Sequence, residues 1–268
     1  MKTFAIVAFT ALSISISCNV KSENGFPFDI THIIPKEGKG PITKKEYKMN
    51  FDEIKVSQSI SAEVIKANEE KVVISAPSDL INNVLVENKG GELHIRFKSG
   101  INISTKNISA KIYAKDFSKI EANSSADIKV RDKFTQNKTD IKVSSSGSIK
   151  GDFEANDLSI DVSSSGTFSG KIWAVNLESE VGSSGDIIIS GKAKNAELEA
   201  SSSGTINAKN VIVENAEIDA SSSGNVSLSV SRQLRASASS SGDIVITKKG
   251  SLNIVSKKES SGGKILIQ

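Results

Sequence analysis

The run DVSSSGTFSG, residues 161–170, places three serines and a glycine inside a stretch that otherwise alternates like a strand. One such run would be a flexible linker. This one recurs: SSSG ends at Gly147, Gly166, Gly204, Gly224 and Gly242, and VGSSG ends at Gly185. The glycines lie 19, 19, 19, 20 and 18 residues apart. Linkers keep no such register, so the run marks a structural repeat.

Aligning the repeats on their glycines sorts the flanking residues into columns. Six residues before the glycine stand Ile141, Ile160, Ser179, Leu198, Ile218 and Ala236. Four before stand Val143, Val162, Val181, Ala200, Ala220 and Ala238, and two after stand Ile149, Phe168, Ile187, Ile206, Val226 and Ile244. Side chains of a strand alternate with period two, so these even offsets share one face. By the same count Ser145, Ser164, Ser183, Ser202, Ser222 and Ser240 belong to it. The pattern reaches back to KIEANSSADIKV, where Ala126 replaces the glycine, and forward to SSGGKILI.

Strands that repeat every 19–20 residues, none able to bury its apolar face alone, stack into a solenoid. The expected fold is therefore all-β, a parallel β-helix with one coil per repeat and like residues laddered at ~4.8 Å. In that fold the glycine supplies backbone freedom at a bend, and the stacked serines exchange hydroxyl hydrogen bonds. The repeat region spans 119–268. Before it, 48–118 reads as short strands with a hairpin turned at NKGG, and stands as a cap for one end.

Composition suits a folded soluble protein rather than a disordered one. The chain of 268 residues is 37% hydrophobic and 24% charged. Its net charge of +3, with no basic run, argues against a nucleic-acid partner. Residues 1–17 read as a signal peptide: Lys2 precedes an apolar stretch too short to span a bilayer. It closes at SISC, and Cys18 is the sole cysteine, which resembles a bacterial lipobox although Ser15 stands where leucine is usual. Lipidation of Cys18 would hold the protein to a membrane, with ordinary cleavage nearby as the alternative. Residues 18–47, with Pro27, Pro35 and Pro41, read as the tether of that anchor.

The order FDEIKVSQSISAEVI (51–65), a hairpin ending LHIRF (93–97), KIYAKDFSKIEANSSADI (111–128) and serial SSSG rungs resembles the bacterial putative auto-transporter adhesin family, head GIN domain. The family's usual repeat is S-G-S-G-D; here the first glycine is mostly serine, and the aspartate survives at Asp127, Asp186 and Asp243. The resemblance covers roughly 48–268. It implies a right-handed parallel β-helix in an exported protein or lipoprotein of the cell envelope, at the bacterial outer membrane, and brings no catalytic residues.

One feature exceeds what the repeat requires. Asp161, Glu180, Glu199 and Asp219 stand five residues before their glycines, and Glu178, Glu197 and Glu217 seven before, all on the outward face. Like charges at ladder spacing oppose one another. A solvated acidic face, a stripe that binds Ca²⁺ or a cationic partner, and the carboxylates of a polysaccharide lyase or glycoside hydrolase are the three readings. Catalysis is the weakest, because an acid–base pair needs two different environments and a uniform stripe supplies one. No cofactor is called for beyond the possible Ca²⁺. The two histidines form no zinc pattern, His94 reads as a strand-surface residue, and Trp173 reads as packed at a coil corner. The expected function is thus a non-catalytic envelope lipoprotein that offers a repetitive surface for adhesion or scaffolding, its partner a cell-surface protein or glycan. The alternative is a β-helix protein that binds or degrades polysaccharide.

Overall fold

The computed structural model describes residues 35–268. The signal segment, Cys18 and most of the tether lie outside the described residues. Within them are nineteen strands, numbered here in chain order, and a single 3-10 turn at Ile81–Asn83. The strands stack in parallel as a β-solenoid.

The apolar columns read from the repeat are the interior. Every member of the three is buried, including Phe168, Ile187, Ile206 and Val226 in the column after the glycine. Each buried Ile, Val or Phe contributes roughly 1.5–3 kcal/mol, and stacking is what buries them, since each column is covered by the layers above and below. Register holds along these columns: Ile160 pairs with Ser179, Ser179 with Leu198, and Leu198 with Ile218, while the shifts fall elsewhere, at Ile188–Ser190 and Ala208–Ile212 among others.

From β10 (Phe134–Val143) and β11 (Ser148–Lys150) onward the layers follow the chain. β12 (Phe153–Val162), β13 (Thr167–Val181), β14 (Asp186–Ala200), β15 (Thr205–Ala220) and β16 (Asn225–Ala238) each pair in parallel with the next, and β17 (Asp243–Lys248), β18 (Asn253–Glu259) and β19 (Lys264–Ile267) complete the stack. The earlier layers do not follow chain order. β2 (Glu53–Ser57) and β3 (Ser61–Lys66) lie between β6 (Glu92–Phe97) with β7 (Ser109–Ala114) on one side and β8 (Lys119–Asn123) with β9 (Asp127–Val130) on the other. Part of the segment read as a cap therefore belongs to the stack. The capping strands are antiparallel: β5 (Val84–Lys89) on β6, β4 (Lys71–Pro77) on β7, and β1 (Ile42–Lys48) on β4. The end of the segment read as tether joins them, for β1 begins at Ile42 and the Asp79 carboxylate accepts hydrogen bonds from the backbone N–H groups of Lys39 and Gly40.

The SSSG turn differs from its sequence reading in two respects. The central serines, not the repeat glycine, take the left-handed conformation: φ is 50° and 61° at Ser145 and Ser146, and the serine pairs of the other repeats lie at 47–51° and 60–64°, with Ser261 and Gly262 at 47° and 81° in the last turn. Gly147 N–H donates to Ser144 C=O at 2.9 Å, closing a turn with the φ pattern of type I′. Two left-handed residues break the period-two count, so Ser145, Ser164, Ser183, Ser202, Ser222 and Ser240 are exposed rather than inward. The ladder along this edge runs through the backbone: Ser146 N–H to Ser164 C=O at 3.0 Å, Ser165 to Ser183 at 3.0 Å, Ser203 to Ser222 at 3.0 Å. The glycine serves close approach instead. A Cβ at Gly166 would sit 2.9 Å from the carbonyl oxygen of Val143 in the layer before, and one at Gly224 only 2.2 Å from that of Ala200. Pairing extends this column to Ile108, Ile60 and Ala126 in the first layers, where larger side chains fit.

Candidate functional site

The acidic stripe stands where the register places it. Glu178 pairs with Glu197 and Glu197 with Glu217; Asp161 pairs with Glu180, Glu180 with Glu199, and Glu199 with Asp219. All are exposed except Asp161, which is half-buried. In the earlier layers the column of Lys55, Glu121 and Lys142 alternates in sign, the other carries Glu92, Glu53, Lys119 and Asp140, and both pair across layers. Lys55 Nζ lies 2.8 Å from Glu121, and Lys119 lies 3.2 Å from Glu53 and 3.8 Å from Glu92. There burial pushes the Glu121 carboxyl up, but the Lys55 ammonium, Asn123 and Lys119 outweigh it and hold the group below its ordinary value. From Asp161 to Asp219 the alternation stops, and among the described residues none of the seven carboxylates has a cation within 4 Å. Adjacent like charges at this spacing oppose one another by up to about 1 kcal/mol in water, less in salt. The protein tolerates a concentrated negative face in its middle layers while neutralising the same columns beneath it.

A second column, unread in the sequence, stands nine residues before the glycine. Asp157, Asn176, Asn195, Asn215 and Gln233 pair in series. Their side chains form a ladder: Asn176 Nδ2 donates to Asp157 Oδ1 at 2.7 Å, Asn195 Nδ2 to Asn176 Oδ1 at 2.9 Å, and Asn215 Nδ2 to Asn195 Oδ1 at 2.9 Å. The same glycine alignment would have found it. Between this ladder and the Glu178–Glu197–Glu217 column runs a groove of about 550 Å³. The residues between the columns, Leu158, Leu177, Ala196 and Ala216, line it as well. Because each wall repeats once per layer, the groove follows the stacking direction.

At Lys138 the groove meets another cavity, of about 740 Å³, bordered by Asp52, Asp116, Glu154, Gln136 and Trp173. Trp173, expected to pack at a corner, is 47% exposed on that cavity's rim. Its strand neighbours in the adjoining layers are Glu154 and Lys192.

The carboxylates make rows rather than a cage: among the described residues no group of three or more His, Cys, Asp and Glu is arranged to hold a metal ion. Asp127, Asp186 and Asp243 lie three repeats apart and are not brought together; Asp127 accepts a hydrogen bond from Ser148 and lies 3.7 Å from Lys129. His94 is half-buried, its Nε2 2.9 Å from Ser57 Oγ. Burial, with the charges of Lys55 and Arg96 behind it, holds its pKa below the usual 6.5.

A layered β-solenoid with uniform outward rows and a lengthwise groove is a surface-presenting repeat protein in its construction. The chain belongs to the family described as putative auto-transporter adhesin, head GIN domain, whose model matches residues 50–171 and 150–250. Three crystal structures share the fold. A putative lipid binding protein from Parabacteroides distasonis has a TM-score of 0.79 at 22% identity, covering 88% of this chain and 100% of its own. A putative adhesin from the same organism has 0.76 at 22%, covering 84% and 98%. One from Parabacteroides merdae has 0.74 at 19%, covering 87% and 98%. No curated protein matches the sequence.

Proposed function

We propose that this protein is a non-catalytic adhesion protein of the bacterial cell envelope, exported by residues 1–17, held to the membrane through a lipid on Cys18, and presenting its solenoid as a repetitive binding surface. The observation that carries this reading is the outward register: identical side chains recur on successive layers with equivalent surroundings. Repetition multiplies weak contacts along one partner, whereas acid–base catalysis needs two groups in unlike environments. Family membership and the adhesin names of relatives that share the fold support an adhesive role at the cell surface. The polysaccharide-binding alternative draws support from the groove; its degradative form draws none, since Glu178, Glu197 and Glu217 stand in one uniform row and Asp157, on the opposite wall, is taken up by the amide ladder.

Two measurements test this. Fractionation of cells carrying the full chain should find it in the membrane pellet, and Cys18→Ala should release it; a variant that still pellets removes the anchor. Cells with the protein should adhere to glycan-coated or cell-coated surfaces more than cells lacking it, and the purified protein should compete. Equal adhesion with and without the protein overturns the adhesive role.

A further inference from the structure

The stack has a step on one side. β10 pairs with β12 from Phe134 to Val143, but on its other edge it pairs with β8 only over Asp140–Val143. Residues 134–138 therefore have no strand against that edge, and the loop 115–118 runs there instead. Phe117 of the loop packs on Phe134 with ring centroids 4.8 Å apart, and both are buried, which closes the core at the step. Outside this pair lies the cavity of about 740 Å³, bordered by Asp116 and Ser118 of the loop, by Asp52, by β10 and β12, and by Trp173 of β13. The cavity falls within the ~300–1,000 Å³ typical of small-molecule sites.

The protein uses only part of the hydrogen-bonding capacity around this cavity. Asn156 Nδ2 donates to Asn137 Oδ1 at 3.1 Å, which leaves both N–H groups of Asn137 and the Asn156 carbonyl. Ser118 Oγ donates to Asp52 Oδ2 at 2.7 Å, which leaves Asp52 Oδ1. The exposed Asp116 carboxylate makes no hydrogen bond or ion pair among the described residues. Trp173 is 47% exposed, and no ring or cation is stacked on it. A ligand that satisfies this set has a flat apolar face and a rim that both donates to carboxylates and accepts from amides. A pyranose ring has that form, with C–H bonds on its face for the indole and hydroxyls at its edge. A methylated ammonium fits less well, because it calls for a cage of aromatic rings and a single indole stands here. A phosphate or acidic sugar fits worst: the one basic residue on the border, Lys138, is paired with Asp140 at 3.1 Å, and the Asp116 carboxylate is unpaired.

We propose that this cavity binds a neutral pyranose unit of a surface glycan, its ring stacked on Trp173 and its hydroxyls shared among Asp116, Asp52 and Asn137. This rests on the adhesive reading, to which it adds a ligand class and a place away from the carboxylate stripe. The step belongs to the junction where the regular layers begin, so the site does not repeat from layer to layer as the outward rows do.

The test titrates the full-length protein with the methyl glycosides of glucose, galactose, mannose and N-acetylglucosamine, followed by calorimetry and by the emission of Trp173, the only tryptophan. At least one should bind saturably with a change in emission. Mannitol, which has the hydroxyls without the ring, should not. Trp173→Ala, read by calorimetry, should weaken binding about tenfold, and Trp173→Phe should weaken it less. Asp116→Asn should weaken it severalfold. Both positions are exposed, so the melting temperature should not move. No saturable binding of any of the four glycosides, or binding that neither Trp173→Ala nor Asp116→Asn changes, overturns the proposal. So does mannitol bound as tightly as the sugars, and so does tetramethylammonium bound more tightly, which would make this a cation site. Cells that adhere although the protein binds none of the sugars would keep the adhesive function and lose this ligand. Sugar binding by a protein whose cells adhere no better than cells lacking it would keep the site and remove the adhesive role.

Discussion

Replacing Gly224 with alanine separates the two roles a repeat glycine can have. Its φ is not in the left-handed region, so conformational freedom predicts little cost. Space predicts a large one. The new Cβ would lie 2.2 Å from Ala200 O, 2.5 Å from Ala200 C and 2.8 Å from Ser201 N, all backbone of the preceding layer. Relief requires a shift of about 1 Å between layers that Ser221 N–H to Ala200 C=O and Asn225 N–H to Gly204 C=O hold at 2.9 Å each. Overpacking of this kind costs about 1–3 kcal/mol, and each ladder bond lost adds about 1 kcal/mol, giving a total of about 2–5 kcal/mol. Gly182 is the control, because a Cβ there meets only Ser201 Oγ at 3.4 Å, and the other SSSG turns carry serine at that position. Gly182→Ala should stabilise by about 0.4–1 kcal/mol through the unfolded chain. Urea unfolding followed by circular dichroism measures both. A Gly224→Ala variant within 0.5 kcal/mol of wild type, or equal shifts for the two glycines, would refute the close-approach account.

Other perturbations follow from the same geometry. Ser223, at φ 63°, should accept glycine at no cost or with a gain of up to about 1 kcal/mol, while Ser223→Val should lose more than about 1 kcal/mol, read from the same urea midpoints. Ser179 is buried in the apolar interior with no hydrogen-bond partner for its hydroxyl, so Ser179→Ala should stabilise by about 1 kcal/mol; a destabilised variant would mean the hydroxyl has a partner. His94 has its pKa lowered in the fold, so as pH falls below about 6.5 the unfolded chain takes up a proton that the folded one refuses, and stability drops until the folded pKa is passed. His94→Gln should flatten the dependence of the midpoint between pH 7 and about 5, and an unchanged slope would remove His94 as its source. Calcium and magnesium at equal ionic strength should raise the melting temperature alike, because rows without converging carbonyls screen rather than chelate; a calcium-specific rise would restore a calcium site on the stripe.

The interior was legible because three apolar columns keep one offset from a glycine that never moves, and all their members are buried. The outward carboxylate columns followed by the same count. The turn misled where alternation was carried through it: Ser164 and Ser165 sit at φ 50° and 61°, which rotates the chain out of the strand phase, and no composition signal announces left-handed serines. The Asn176–Asn195–Asn215 ladder was available in the alignment, but asparagine suggests loops before it suggests a stacked wall. Trp173 was misplaced because its neighbours Glu154 and Lys192 stand in other repeats, so nothing beside it in sequence shows what leaves it uncovered. The layer order was out of reach: Ile54 meets Leu93 and Ile120, and the irregular spacing of 50–118 gives no count from which to infer it.

That layer order sets a direction for assembly. β2 and β3 are made first, yet one of their edges waits for β6 and β7 and the other for β8 and β9. A chain delivered from its N-terminus therefore carries an open strand edge until residue 130 has emerged, and closing both edges depends on contacts distant in sequence, which form slowly. Beyond that point each further repeat finds a finished template one layer away, and growth proceeds like a zipper. Residues 42–130 are a seed that closes as a unit, while the later layers are modular. Evolution can change the length of this protein, and with it the reach of its groove, by adding or removing whole repeats on one side of the seed only.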